Sequence, residues 1–303
     1  MKVLNFGSLN IDMVYSVDHV VRPGETTAST ELRCFCGGKG LNQSAALARA
    51  GAEVSHAGCV GADGDRLISL LRDNGVDTSL ITESKSPSGH AIIQVDRDGQ
   101  NSILLFGGAN MEITPEQIEN AVGNFSAGGR LFLQNEINGI PEIIGAAHEL
   151  ELEIVFTPSP FGAEILSYPL ENIDWFVVNE TEAEELTGET EPEKILGAFS
   201  QKFPRASVLL TLGADGAFCR TENDTFYCEI FSVPVVDTTA AGDTFLGFFF
   251  AMLDRFGAER ALKIASAASA VAVSRPGASA SIPTLDKVKS FLEERGEICC
   301  EDL

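Results

Sequence analysis

The sequence predicts an α/β protein, a central and mostly parallel β-sheet with helices on both faces, joined to a small β-sheet lid. Short apolar runs alternate with stretches of helical periodicity along most of the 303 residues, and strands that alternate with helices pair in parallel through crossovers on the sheet faces. Two early stretches break this rhythm and pattern as antiparallel strands, which points to a flap projecting from the main sheet.

The runs Val3–Phe6, Val54–Val60, Leu131–Gln134, Glu153–Phe156, Trp175–Val178 and Val208–Thr211 are short and apolar, as buried strands are. Between several of them lie helical patterns at Ser44–Ala50, Arg66–Asn74, Glu142–Leu150 and Glu182–Thr187. Thr114-Pro115-Glu116-Gln117 supplies a helix N-cap, a proline at the first helical position and a glutamine at the third, while Gly51 and Gly75 follow helical runs as stops. The two exceptions to the rhythm are Glu25–Cys36 and Gly89–Phe106. In the second, Asp98-Gly99 separates Ala91–Val95 from Ser102–Phe106, a strong hairpin signal. No internal repeat, low-complexity tract or long linker divides the chain, so one domain over residues 1–303 is expected, with lid strands from about 12–36 and 89–106.

The formal charge of −23 removes whole function classes. Neutralising phosphates takes clustered cations, so nucleic acid and anionic membranes are not expected partners. A hydrophobic content of 44% supports a sizeable core. No apolar run reaches the roughly 18 residues of a membrane span, and Lys2–Phe6 is strand-like rather than an export signal, so a cytoplasmic location is expected. The seven cysteines show no framework spacing and are expected as reduced thiols; Cys34-x-Cys36 and Cys299-Cys300 each lack a second pair at zinc spacing.

The sharpest motif is Asp237-Thr238-Thr239-Ala240-Ala241-Gly242-Asp243-Thr244-Phe245, between the apolar run Val233–Val236 and the apolar stretch Phe245–Leu253. Small residues in a strand-to-helix turn leave backbone N–H groups free for a phosphate at the helix start. Asp243 could accept a hydroxyl proton while the amides of Ala241 and Gly242 stabilise charge on a transferring phosphoryl group; alone, it reads equally as a carboxylate favouring a helix start. Gly37-Gly38-Lys39-Gly40-Leu41-Asn42-Gln43 is not a Walker A loop, and offers a close backbone approach with Lys39 and Asn42 as donors, or simply a turn before a helix. In Gly7-Ser8-Leu9-Asn10-Ile11-Asp12, an extended chain would point Asn10 and Asp12 to one face, which suits sugar hydroxyls, although a turn with a solvated Asp fits as well. Asn179-Glu180-Thr181-Glu182 matches a capping box, or a site for nucleotide phosphate and water-bound Mg²⁺. Thr211–Gly216 is a strand running into a glycine turn, as in an ordinary hairpin.

Taken in order, these motifs make the chain resemble a ribokinase-like sugar kinase of the PfkB carbohydrate kinase family. The resemblance runs nearly the whole length, through Gly7–Asp12, Gly37–Gln43, Gly107–Asn110, Gln134-Asn135-Glu136, Asn179–Glu182, Thr211–Gly216, Asp237–Phe245 and Ser274–Ser281. It implies a ribokinase-like αβα sandwich with a β-sheet lid, ATP-dependent phosphorylation of a sugar's primary hydroxyl, and a homodimer formed through the lid. Asp243 matches the family's catalytic base, and Ala241 and Gly242 its anion hole. Asn10, Asp12, Gly38, Lys39, Asn42 and Glu136 match the sugar contacts. Asn179, Thr211, Gly213, Gly216 and Gly242 match the nucleotide site, with Ser266 on the adenine side and Glu182 at the Mg²⁺-organising position. Asp237, Thr239, Ala272, Arg275, Gly277 and Ser281 match a monovalent-cation loop that would take K⁺ mostly through backbone oxygens. Phe248 departs from the pattern, standing where relatives usually carry a small residue, and Ser266 lies where the adenine-side residue varies.

Two carboxylates, Asp12 and Glu136, beside the single cation Lys39 would repel a sugar that is already phosphorylated. D-ribose is therefore the first expectation, with deoxyribose, fructose, ketodeoxygluconate or a nucleoside as alternatives. A non-catalytic sugar- or nucleotide-binding regulator on the same fold would be expected to lose Asp243 or the small residues before it, and all are present. A Rossmann dehydrogenase is excluded because no GxGxxG follows the first strand. ATP binding at this net charge would depend on Mg²⁺, helix-start amides and Lys39, with the excess acid on solvated surface such as Glu180–Glu193.

Overall fold

The computed structural model describes residues 2–297. In chain order its first elements are β1 (Lys2–Phe6), β2 (Asn10–Ser16), β3 (Glu31–Gly37), α1 (Lys39–Arg49), β4 (Glu53–Val60), α2 (Asp65–Asp73), β5 (Asp77–Glu83), β6 (Gly89–Val95) and β7 (Asn101–Phe106). There follow α3 (Pro115–Gly123), β8 (Arg130–Gln134), α4 (Ile140–Glu149), β9 (Glu153–Thr157), β10 (Trp175–Asn179), α5 (Glu180–Thr187) and α6 (Pro192–Lys202). The last are β11 (Ser207–Thr211), β12 (Ala217–Arg220), β13 (Thr225–Cys228), α7 (Ala241–Val273) and α8 (Leu285–Glu293).

Nine strands form the main sheet in the order β13-β12-β11-β10-β9-β8-β1-β4-β5. Pairing is parallel from β11 to β5, and β12 and β13 add an antiparallel edge. Side chains alternate along each strand. On β8, Phe132 enters a core with residues of α1, α2, α7 and α8, while Leu131 and Leu133 enter a second core with residues of α3 to α6. The expected αβα sandwich is therefore present. So is the lid, a separate four-stranded sheet ordered β3-β2-β6-β7, in which Asp98-Gly99 turns β6 back as β7 with Gly99 at φ 79°.

Phe248 causes no packing conflict. It is fully buried beside Phe249 and Phe250, and the ring of Phe250 meets Phe132 and Trp175 edge-on at 5.1 and 5.2 Å. The small residue needed here is its neighbour Gly247, where a methyl group would fall 2.4 Å from Ala46 of α1. Further on, Gly257 at φ 76° interrupts α7, so that Asp243 and Ser266 stand on different arms of the bent helix.

Three local expectations need correction. Val233–Val236 forms no strand: Pro234 cannot donate to a ladder, and the amides of Val236 and Asp237 bond to the Val273 carbonyl instead. Of Glu25–Cys36 only Glu31–Gly37 is strand, because the Glu25 carboxylate caps a turn at Arg22 and meets His19. Helix α1 begins at Lys39, well before Ser44, since the glycines of the loop lead directly into it. Cys34, Cys36, Cys59, Cys219 and Cys228 are free thiols, and Cys299-Cys300 lies outside the described residues. No helix among the described residues is long and apolar enough to cross a membrane.

Candidate active site

The strand order reverses beside β1: the chain proceeds to β4 and β5 on one side, and to β8 and beyond on the other. Such a reversal opens a crevice at the carboxyl ends of the strands. Of the residues singled out in the sequence, Lys39, Asn179, Glu182, Thr211, Gly242 and Asp243 line one cavity there; Asn10, Asp12, Asn42 and Glu136 lie beside it toward the lid without lining it.

On the lid side, the start of α1 lies against the loop after β1. Gly40 permits this, since a methyl group there would fall 2.4 Å from the Ser8 amide, and Gly38 turns the chain at φ 92°. The Ser8 hydroxyl and the Lys39 amide, the latter at 3.0 Å, both donate to Glu136 Oε2, which fixes that carboxylate beyond β8. Asp12 on β2 lies over Gly37, where a methyl group would fall 2.0 Å from Asp12 Oδ2. Burial, with repulsion from Glu136, pushes the Asp12 carboxyl up to about 6. Asn10 is held by Asn110, whose Nδ2 donates to Asn10 Oδ1 at 2.7 Å while its Oδ1 accepts the Leu9 amide at 3.0 Å.

Asp243 lies in the first turn of α7 and faces α1. Asn42 Nδ2 donates to its Oδ2 at 3.2 Å, and Gln43 Nε2 to its Oδ1 at 3.1 Å. Burial raises the carboxyl above the usual range, opposed by the Lys39 charge and these two amides. Burial likewise disfavours the Lys39 ammonium, but the charges of Asp243, Glu136 and Glu182 outweigh it and hold the lysine above its ordinary value.

Two cavities adjoin here. One of about 270 Å³ is lined by Lys39, Thr157, Asn179, Glu182, Gly242 and Asp243 among others. The other, of about 350 Å³, is lined largely by apolar side chains together with Thr211, Gly213, Gly216 and Ser266. Thr211, Thr238, Ala241 and Gly242 belong to both. Ala240, at φ 61°, is a non-glycine residue in the left-handed region immediately before α7, a strained conformation of the kind that clusters at functional sites. The Ala241 amide is committed to the Thr238 carbonyl at 3.2 Å, while those of Gly242 and Asp243 meet no acceptor among the described residues. Asn179 and Glu182 make the capping box in both directions, at 2.9 and 3.0 Å, and still face the first cavity.

Behind α7, Asp237 joins two loops by accepting the amides of Thr239 and Gly277, each at 2.9 Å. Burial raises its carboxyl, but these hydrogen bonds win and hold it below the usual range. Ala272 accepts the Arg275 amide, and the Ser281 hydroxyl donates to the Ala278 carbonyl, two local turns near the Asp237–Gly277 link.

The model of the pfkB family of carbohydrate kinases matches residues 1–285. The chain belongs to this family. It is 36% identical over 299 residues to a ribokinase of Haemophilus influenzae, covering 95% of this chain and 97% of the relative. A deoxyribokinase of Salmonella typhi is 30% identical over 307 residues, covering 96% and 99%. Among solved structures, a ribokinase of Cryptococcus neoformans in complex with ADP superposes with a TM-score of 0.83 at 33% identity, covering 95% of this chain and 99% of that one. A ribokinase of Arabidopsis thaliana complexed with ribose and ATP superposes at 0.81 with 28% identity, covering 96% and 98%. The protein is a ribokinase-like carbohydrate kinase.

Three residues of this kinase's site had no role assigned from sequence. Gln43 closes the GGKGLNQ run, yet nothing in the run shows that its amide reaches Asp243. Asn110 ends Gly107–Asn110, but its link to Asn10 spans a hundred positions. Thr157 lay outside every motif; its buried hydroxyl has no hydrogen-bond partner and lines the first cavity.

Proposed function

We propose that this kinase transfers the γ-phosphoryl group of ATP to the primary hydroxyl of D-ribose, yielding ribose 5-phosphate. The observation that carries this reading is Asp243, a carboxylate kept as an acceptor on both oxygens in the first cavity, next to Gly242, which lines both. Phosphoryl transfer needs in-line positioning and charge stabilisation more than covalent help. Asp12, Asn42, Lys39 and Glu136 fix the sugar, with Asn10 and Gly38 shaping the floor, and Asp243 takes the proton of the attacking hydroxyl. The buried Asn42 Oδ1, with no protein partner, is free to accept a sugar hydroxyl. The base of ATP occupies the apolar cavity near Ser266, and its γ-phosphate reaches Gly242, whose amide is open; the committed Ala241 amide would have to leave Thr238 to join it.

A single buried carboxylate beside open space suits Mg²⁺ that keeps its waters, and Glu182 would hold it through them, supplying charge neutralisation at the phosphates. The hard oxygens around Asp237, Thr239, Ala272, Arg275, Gly277 and Ser281 suit K⁺, which would stiffen the loop before α7. The single domain spans residues 1–303, and lid closure would exclude water from the transfer. A homodimer through the lid would cover the exposed apolar side chains of β7, and a cytoplasmic location suits ATP use and free thiols.

The neutral-sugar preference follows from two carboxylates, Asp12 and Glu136, close enough to repel one another, with the one cation Lys39 already drawn to Glu136, Glu182 and Asp243. The test is ADP release with Mg-ATP and a panel of ribose, deoxyribose, fructose, ketodeoxygluconate and nucleosides. Ribose should give the highest kcat/KM. Preference for another substrate would reject ribose, and no turnover with any would reject the kinase assignment for these substrates.

A further inference from the structure

A buried polar chain runs from the middle of the sheet to Asp243, and two backbone carbonyls fix its direction. The Gly7 carbonyl can only accept, so His56 Nε2 at 3.3 Å carries the proton. The other ring nitrogen, Nδ1, then accepts from the Ser44 hydroxyl at 2.8 Å, and Ser44 Oγ accepts from Asn5 Nδ2 at 2.9 Å. That same Asn5 Nδ2 donates at 2.8 Å to the Gly40 carbonyl, a second group that can only accept. Asn5 must therefore turn its Oδ1 toward Gln134, whose Nε2 donates to it at 2.9 Å and to Gln43 Oε1 at 2.7 Å. With its oxygen occupied, Gln43 has only its amide hydrogens to offer Asp243.

We propose that Gln43, oriented by Gln134 and Asn5, is a positioning residue that keeps Asp243 an ionised proton acceptor. The inference rests on Asp243 being the catalytic base. Asn42 supplies a donor to the other carboxylate oxygen, so a proton on either oxygen would displace one of the two amides. Burial of His56 pushes its imidazole down to about 4, so the chain carries no charge of its own at neutral pH. Lys39 is the charged group acting on Asp243; Glu136 and Glu182 act on Lys39, and Asp12 faces Glu136. The chain thus adds directed hydrogen bonds to an electrostatic setting in which burial alone would favour the neutral acid.

The test is the pH profile of kcat at saturating sugar and ATP, from about pH 5 to about pH 9, for the intact chain. Gln43→Glu keeps the size of the side chain but replaces the donor facing Asp243 with an acceptor. Gln134→Leu leaves Gln43 in place and removes the group that orients it. Each variant should move the acid limb to higher pH, by roughly one unit for Gln43→Glu, with about tenfold lower kcat on that limb. A uniform fall at every pH, or an unmoved limb in both variants, would overturn the positioning role. Asp243→Asn separates the two readings: if it keeps normal kcat, the base assignment fails, whereas an inert Asp243→Asn with an unmoved Gln43→Glu limb rejects only the role of Gln43. Thermal melting of each variant identifies one that does not fold, and the other then decides.

Discussion

Asp12 lies directly over Gly37, and the absence of a side chain on the glycine is what gives its carboxylate room. A methyl group there would meet Asp12 Oδ2 at 2.0 Å. Gly37→Ala should therefore displace Asp12 without disturbing the sheet, since Gly37 has no positive φ to lose. Steady-state kinetics should give a sugar KM raised about tenfold, corresponding to roughly 1.4 kcal/mol of binding, with the ATP KM nearly unchanged.

The same carboxylate sets a pH response. Its pKa of about 6 exceeds the usual 3.8, so the native state holds the proton more tightly than the unfolded chain. The stabilising contribution is full below the unfolded value and is lost as pH rises through about 6. Asp12→Asn should accordingly raise the melting temperature of the ligand-free protein more at pH 8 than at pH 4, by a few degrees. Sugar KM should show the opposite preference, falling as pH rises through about 6 while the wild-type carboxylate ionises. Calorimetry across pH and a KM profile check the two halves separately.

Asp237 ties the loop before α7 to the loop after it through Gly277. Asp237→Ala leaves the Thr239 and Gly277 amides without their acceptor, and should cost about 1–2 kcal/mol of stability. It should also abolish any K⁺ activation, measured as turnover against K⁺ after dialysis. A variant with the wild-type K⁺ response would remove Asp237 from the cation site.

Leu104, 67% exposed, stands on β7 beside Ile103, Leu105 and Phe106, all about half exposed. An edge strand of this kind invites pairing. Sedimentation should find a dimer that Leu104→Asp converts largely to monomer; a wild-type monomer would reject the lid as an interface.

The parallel core was legible because its strands are continuous apolar runs: Val3–Phe6, Leu131–Gln134 and Val208–Thr211 all lie within observed strands. β5 was not legible because Asp77–Glu83 is half polar at the sheet edge, whereas the expected lid range from about residue 12 takes in most of β2, all of which pairs within the lid sheet. Small residues before Asp243 marked the helix start at Ala241, and the acidic stretch around Glu184 and Glu185 is exposed as expected, whereas Glu182 is buried. The links of Gln43 to Asp243 and Asn110 to Asn10 were not legible, since spacing within a motif says nothing about partners two hundred or one hundred positions away.

The most direct measurement is phosphorus NMR of the product formed from D-ribose and Mg-ATP, run beside Asp243→Asn. Wild-type protein should give a phosphate monoester resonance split by the methylene protons of the primary carbon, and Asp243→Asn should form it at least about a hundredfold more slowly. No ribose phosphate, phosphate on another hydroxyl, or an Asp243→Asn rate equal to wild type would contradict a ribose kinase that uses Asp243 as its base.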